Sequence, residues 1–337
     1  MRVSEVLRAW QKILQGETPS LSIEITRECP LRCPGCYAYG ADHLNNGVTL
    51  RELRDYKGQE LVDNVMQAVD RYKPLHLSIV GGDPLVRYRE LEQLVPLITA
   101  RGIHVQIVTS AFRPFPSSWS QNRLLNVVVS IDGLQPEHDA RRAPATYQRI
   151  LSTIAGQKIT IHCTITAQMM NREGYLREFV DFWSGKHEVH RIWFSIFTPQ
   201  MGDELPEILS SQQRTQVVAD LLALRKTHPK VDMAPEMIAQ FTTPPESPKD
   251  CIFAQTTTSI SADLSSLITP CQFGGKPDCS QCGCAASMGL SAVGAYKLGG
   301  IIPVKALFDL SLRVGRMRIK EPAVPLGPSN PFPILRQ

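Results

Sequence analysis

Strand-like and helix-like segments alternate along most of this chain, and that alternation restricts its fold more than any other property. Short apolar, β-branched runs stand at residues 21–26, 76–80, 103–109, 126–132, 159–166 and 190–197. Residues 58–72, 86–100, 145–156 and 172–183 carry apolar side chains at helical spacing between them. Six strands separated by helices, and apolar enough to be buried on both faces, predict an α/β fold built on a parallel sheet. Ligand chemistry in such folds gathers at the carboxyl ends of the strands. Ahead of the first strand, residues 3–14 place Val3, Val6, Leu7, Trp10, Ile13 and Leu14 on one helical face, with Trp10 expected in the core. Residues 206–229 and 303–317 predict further helices, the proline-rich TTPPESPKD at 242–250 reads as a linker, and the last twenty residues read as an extended tail.

A chain of 337 residues, 43% hydrophobic and 20% charged, has ample material for a core. A net charge of +4 without any Lys/Arg block gives no reason to expect a nucleic-acid partner. No apolar run reaches the roughly 18 residues of a membrane span, and the N-terminus lacks a signal-peptide core, so a cytoplasmic protein with no membrane span is expected. Nine cysteines in a reducing compartment are expected to be thiols. Three crowd into residues 29–36, five lie between 251 and 284, and Cys163 stands alone in a strand. Two metal-binding zones follow, with Cys163 left as a small core residue.

The first zone is CPLRCPGC, in which Cys29, Cys33 and Cys36 are spaced Cys-x3-Cys-x2-Cys directly after the first strand. Three thiolates at a strand end are placed to grip a soft metal centre. A structural zinc wants a fourth ligand, whereas an iron-sulfur cube held by three cysteines keeps one iron open. Plainer readings are a thioredoxin-like dithiol in CPGC, or a zinc loop completed by His43. His43 and Asp42 otherwise read as solvated loop residues. After the second strand, Gly81, Gly82 and Asp83 of VGGDP combine two glycines that admit a close ligand with a carboxylate able to accept from an ammonium group; a simple turn is the alternative.

The cysteine spacing at the end of a first strand resembles the radical S-adenosylmethionine (SAM) superfamily, with Gly35 where an aromatic residue is commoner and Tyr37 one place later. The resemblance implies a partial (β/α)6 barrel over residues 21–241. It implies a 4Fe-4S cluster on Cys29, Cys33 and Cys36 whose open iron binds SAM, and reductive cleavage to a 5′-deoxyadenosyl radical that takes hydrogen from a substrate. It further implies that Gly81, Gly82 and Asp83 meet the SAM amino group, that Ser110 lies near adenosine or substrate, and that Ser130 contacts SAM. Arg142, rather than Arg141, is implied to bond the SAM carboxylate, with Asp132 orienting the turn. An electron donor such as flavodoxin or ferredoxin is implied as a partner. No catalytic acid or base is assigned, and a hydrogen-bonded core role is expected for His162.

The second zone comprises Cys251, Cys271, Cys279, Cys282 and Cys284. Spacing alone favours a zinc site. A cysteine, a hairpin-like stretch ending in Pro-Cys and then a CxxC resembles the twitch domain, a shorter relative of the SPASM domain, and implies one auxiliary 4Fe-4S cluster within residues 242–302. Four of the five thiols would hold it, with Cys284 or Cys279 as the spare. Residues 1–20 and 303–337 then form an N-terminal helix and a C-terminal helix with tail. No peptide-binding winged-helix domain is seen ahead of the barrel, which slightly favours a small-molecule substrate over a peptide, and no cobalamin-binding domain is seen there, which disfavours cobalamin-dependent methylation. The competing reading is a non-catalytic zinc-binding scaffold.

Overall fold

The structure, a computed structural model, describes residues 3–40 and 42–318. In chain order its elements are α1 (Val3–Leu14), β1 (Ser20–Glu24), α2 (Gly58–Tyr72), β2 (His76–Val80), α3 (Tyr88–Thr99), β3 (His104–Thr109), β4 (Leu125–Ser130), α4 (Gln135–Arg142) and α5 (Tyr147–Ile154). They continue with β5 (Ile159–Ile165), α6 (Tyr175–Ser184), β6 (Val189–Ile196), α7 (Ser211–Thr227), the short α8 (Pro235–Ala239) and α9 (Ile252–Thr256), and β7 (Thr257–Ile260). After these come α10 (Ala285–Ala295), the paired β8 (Lys297–Leu298) and β9 (Ile302–Pro303), and α11 (Val304–Arg318).

The expected parallel α/β sheet is present. Its strands run β6-β5-β4-β3-β2-β1-β7, and every neighbouring pair is parallel. It holds seven strands, one more than the sequence suggests. The extra strand, TTSI, pairs with Ser20–Ile23 on the open side of β1. An antiparallel bridge from Ile260 to Leu267 then folds the chain back on itself, so the hairpin-like stretch of the second cysteine zone also extends the sheet. Four residues are too few for the strand period to show in sequence.

The strands are not apolar on both faces, as their composition suggests. Leu77, Ile79, Val105 and Ile107 are buried in one core with Leu61 and Val65 of α2 and Leu91 and Leu94 of α3. The alternate positions are polar. Register places Ser22, Ser78, Gln106 and Asn126 in one row across β1 to β4, and Ser130, His162 and Trp193 in another across β4 to β6. Because side chains alternate along a strand, the sheet has a dry helix-covered face and a polar one. Cys163 lies in the dry core, 1% exposed, as expected.

Several boundaries have local causes. α7 begins at Ser211 rather than 206 because Ser210 caps it, its side chain accepting from Gln213 N in a capping box. Trp10 of α1 packs at a tilt against Phe308 of α11, ring centroids 4.5 Å apart, and its indole N–H donates to Ser311 Oγ at 2.9 Å. The apolar face expected for α1 is only partly covered, with Leu7 64% exposed, because α11 packs on the Trp10 and Ile13 side. Residues 243–250 contain no helix or strand. The predicted tail lies outside the described residues.

Candidate cofactor and metal site

Both cysteine zones sit at the carboxyl ends of the strands. The first loop leaves β1 and is held down by the turn after β2. Gly81 and Gly82 have φ of +82° and +50°, and a Cβ on them would stand 2.3 Å from Glu24 Cβ and 2.1 Å from Glu28 O. The two glycines therefore admit the neighbouring chain, the purpose the sequence suggested for a ligand. Asp83 N donates to Glu28 O at 2.9 Å, completing the clamp.

The Asp83 carboxylate is buried and fully engaged. Oδ1 accepts from Leu85 N at 3.0 Å and Thr109 Oγ1 at 2.6 Å, while Oδ2 accepts from Ser110 N at 2.8 Å and Ser110 Oγ at 2.5 Å. Four donors exhaust its acceptor directions, so it ties the end of β2 to the end of β3 instead of offering itself to an ammonium group. The Ser110 hydroxyl proton is engaged by the same carboxylate.

A second polar knot follows β4. Asp132 Oδ2 accepts from Arg142 Nε at 2.8 Å and lies 2.6 Å from its Nη2, while Oδ1 accepts from Thr164 N at 3.2 Å. Burial alone would raise the Asp132 carboxyl, but the Arg142 and Arg141 charges hold it below the usual carboxylate range. Arg142 is thus neutralised within the protein. Arg141 donates to Pro34 O at 3.1 Å, inside the first cysteine loop, and contacts Glu207 at 3.4 Å. Its buried Nε has no hydrogen-bond partner among the described residues. Ser130 is half-buried and stands opposite His162. His162 is on the polar face, its Nε2 2.8 Å from Ser195 Oγ, which in turn accepts from Ala285 N at 3.1 Å. Burial lowers the His162 pKa and keeps the ring neutral near pH 7.

His43 departs from both of its expected roles. It is buried rather than solvated, and its two ring nitrogens are taken: Nε2 lies 2.8 Å from Glu24 Oε1 and Nδ1 3.1 Å from Phe273 O. A zinc completed by His43 is therefore excluded. Glu24 Oε2 also accepts from Ser261 Oγ at 2.5 Å. Burial depresses the His43 pKa, yet the Glu24 hydrogen bond and charge outweigh it and leave it raised. Tyr37, next to Cys36, packs edge-on against Phe273 at 5.2 Å. The segment after the first cysteines is in this way fastened to the segment that carries the second set. Glu24 escaped sequence reasoning because it looks like an ordinary outward position; a carboxylate on the last residue of a strand leading into a metal loop was the available signal.

In the second zone, Cys251, Cys271, Cys279, Cys282 and Cys284 line one pocket with Thr198, Phe273 and Ser287. The loop carrying the last three rests on the end of β6. Gly283 N donates to Thr198 Oγ1 at 2.9 Å, Ile196 N donates to Gly283 O at 2.9 Å, and a Cβ on Gly283 would stand 2.0 Å from Ile196 O. Burial, then the neighbouring thiols, push Cys271 up to about 12 and Cys279 to about 11. In the first loop burial likewise pushes Cys29 up to about 12.

Among the described residues, no three cysteine, histidine, aspartate or glutamate side chains are arranged as a formed metal site. The sulfurs make the contacts of free thiols: Leu31 N donates to Cys29 at 3.4 Å, Gln272 Nε2 donates to Cys284 at 3.4 Å, and Cys251 lies 3.2 Å from Ser287 Oγ. The donor chemistry nonetheless fits a thiolate-ligated centre in each zone. Each set consists of soft sulfur donors alone, whose protons a metal displaces on binding.

Residues 23–180 match the family model described as the Radical SAM superfamily. The chain is 30% identical over 135 residues to the 7-carboxy-7-deazaguanine synthase of Hyperthermus butylicus, a match covering 39% of this chain and 51% of that protein. Its fold is similar to that of Streptococcus suis SuiB bound to precursor peptide SuiA (TM-score 0.56, 15% identity, 80% of this chain and 63% of that one). SuiB bound to S-adenosylmethionine is similar at a TM-score of 0.55 and 17% identity, with the same coverage. Tagged anSMEcpe with bound AdoMet gives 0.56 and 15%, covering 75% of this chain and 71% of that one. At these identities the solved structures share the fold. The chain spans about half the length of the curated relative and under two thirds of the SuiB chains.

Proposed function

We propose that this chain, whose residues 23–180 match the radical SAM superfamily, cleaves SAM reductively at a 4Fe-4S cluster held by Cys29, Cys33 and Cys36. When bound, the cluster and nucleotide supply one electron and a breakable sulfonium bond, yielding a radical that takes hydrogen from an unactivated carbon. The observation that carries this reading is the set of three half-buried thiols at the end of β1. Beside it opens a pocket of about 510 Å³ lined by Arg32, Cys33, Gly35, Cys36, Tyr39, Gly40 and Arg51.

The chain's own residues bind and orient. We read Asp83 and Ser110 as positioning residues that hold the Gly81–Gly82 turn, so that this turn meets the nucleotide through its backbone. Asp132 fixes Arg142 beside the loop, and Arg141 anchors Pro34. Ser130 and His162 of the polar face are placed to meet nucleotide or substrate. The five-cysteine pocket holds an auxiliary 4Fe-4S centre on four of its thiols, in a C-terminal region of about residues 242–302.

The row of hydroxyl, amide and imidazole groups on the polar face suits a small polar substrate. The curated relative is named for making a deazaguanine, which supports this class, whereas the SuiB structure with a bound precursor peptide supports the peptide alternative. A one-electron donor of the flavodoxin or ferredoxin class and a reducing, cytoplasmic setting complete the proposal. Among the described residues no helix is long and apolar enough to cross a membrane.

The test is formation of 5′-deoxyadenosine by anaerobically reconstituted protein given SAM and dithionite. Wild type is expected to form it and Cys33→Ala to form none. Undiminished product from Cys33→Ala would overturn the assignment.

A further inference from the structure

Arg214 is a buried cation without a carboxylate partner. It lies in the first turns of α7, 9% exposed. Its guanidinium donates to Phe241 O at 2.9 Å, Cys282 O at 3.0 Å and Gln281 O at 2.6 Å. The other buried guanidinium, Arg87, is compensated by Asp55 and Glu28, and the half-buried Arg142 by Asp132. Among the described residues Arg214 forms no ion pair. Asp278 in the same loop, its carboxylate held by Ser280 and Gln281, acts on Arg214 only through space and makes no ion pair with it. Three carbonyl dipoles satisfy the N–H groups of a buried guanidinium but do not cancel its charge.

A closer negative charge than Asp278 has an evident source. Two of the three carbonyls belong to the Cys279–Cys282 loop, and the thiols of that loop line the five-cysteine pocket. Once a metal centre displaces the thiol protons, the ligand set becomes strongly anionic next to a cation that is already desolvated. The first loop is served differently, since Arg142 arrives there already neutralised.

Resting on the proposed reading of this pocket as an iron-sulfur centre, we infer that Arg214 is the fixed counter-charge of that centre and raises its reduction potential. A nearby fixed positive charge favours the more negative, reduced state, and net charge is one of the principal settings of a cluster's potential. The centre in the second pocket is thereby made easier to reduce than its ligands alone would make it. Arg214 is a positioning residue here, acting on the centre through space and through the Gln281 and Cys282 carbonyls.

The experiment uses the full chain carrying Cys29→Ala, Cys33→Ala and Cys36→Ala, reconstituted anaerobically with iron and sulfide so that only the second pocket is loaded. Its midpoint potential is measured by redox titration followed by electron paramagnetic resonance (EPR), with Arg214 intact, as Arg214→Lys and as Arg214→Gln. Iron per chain and the thermal midpoint are recorded for each. The expected result is a lower potential in Arg214→Gln and a potential near that of the parent in Arg214→Lys, which keeps the charge. Loss of iron in Arg214→Gln with retention in Arg214→Lys supports the same role. Equal potentials in all three, or equal loss of iron in Lys and Gln variants, overturn it and leave Arg214 as a geometric staple of the loop. A parent that takes up no iron fails one step earlier, by removing the iron-sulfur reading of the pocket itself.

Discussion

Glu24→Ala removes an acceptor shared by two buried groups, the His43 ring and the Ser261 hydroxyl. Breaking a buried ion pair from one side typically costs about 3–5 kcal/mol, because the partner is left buried and unpaired. Domains of 150–250 residues lose roughly 2–4 °C per kcal/mol. Taking the lower slope for this longer chain, a fall of about 6–10 °C in the midpoint is expected by circular dichroism on anaerobically purified protein. Glu24→Gln separates charge from contact, since its amide still reaches both partners. The His43 pKa is raised in the folded state, so the stabilisation from its charge is complete below the unfolded value near 6.5. It disappears as pH rises through the higher folded value. The gap between wild type and Glu24→Gln should accordingly widen toward pH 5.5 and narrow by pH 8.5. A Glu24→Ala loss under about 2 °C, or a Glu24→Gln gap flat across that range, would refute the reasoning.

Three further outcomes are expected. Gly82→Ala, whose Cβ would stand 2.1 Å from Glu28 O at a φ of +50°, should lower stability in urea denaturation by on the order of 2 kcal/mol and weaken SAM binding in equilibrium dialysis. Asp132→Asn leaves Arg142 buried without its counter-charge and should cost about 3 kcal/mol in chemical denaturation at neutral pH. Since the Asp132 carboxyl is held below its usual value, that difference is present above an unfolded pKa near 4 and should fade as pH falls through the depressed one. Gly283→Ala, with a Cβ 2.0 Å from Ile196 O, should lift Cys282 and Cys284 off β6 and lower iron at the second pocket while the first stays loaded, as read by iron per chain in the presence and absence of Cys33→Ala.

The sheet and most helix boundaries were legible because apolar positions recur at helical or strand spacing, as in Leu77 and Ile79 of β2. The polar face was less so. Ser78, Gln106 and His162 look like interruptions of apolar runs until register sets Ser78 beside Gln106 and His162 beside Ser130. Thiol clustering alone marked both cysteine zones, since eight of the nine cysteines fall within residues 29–36 and 251–284. Roles inside the zones depended on long-range partners that sequence does not display. Asp83 sits in the expected place, but Thr109 and Ser110 of the next strand use up its oxygens. His43 lies in a glycine-rich polar stretch that reads as solvent-facing, and only the return of the chain at Ser261 and Phe273 buries it. Arg214 is one basic residue on a helix of mixed charge; nothing local distinguishes it from Arg225 until the Gln281–Cys282 carbonyls fold onto it.

Whether the first loop holds a cube with a vacant corner is tested most directly by EPR of the reduced, anaerobically reconstituted protein before and after SAM is added. To isolate that centre, Cys271→Ala and Cys282→Ala are introduced at the second pocket. Docking of the nucleotide on the open iron predicts a changed spectrum that is absent when Cys33→Ala is added. A reduced-cluster spectrum that stays the same at saturating SAM would contradict the account.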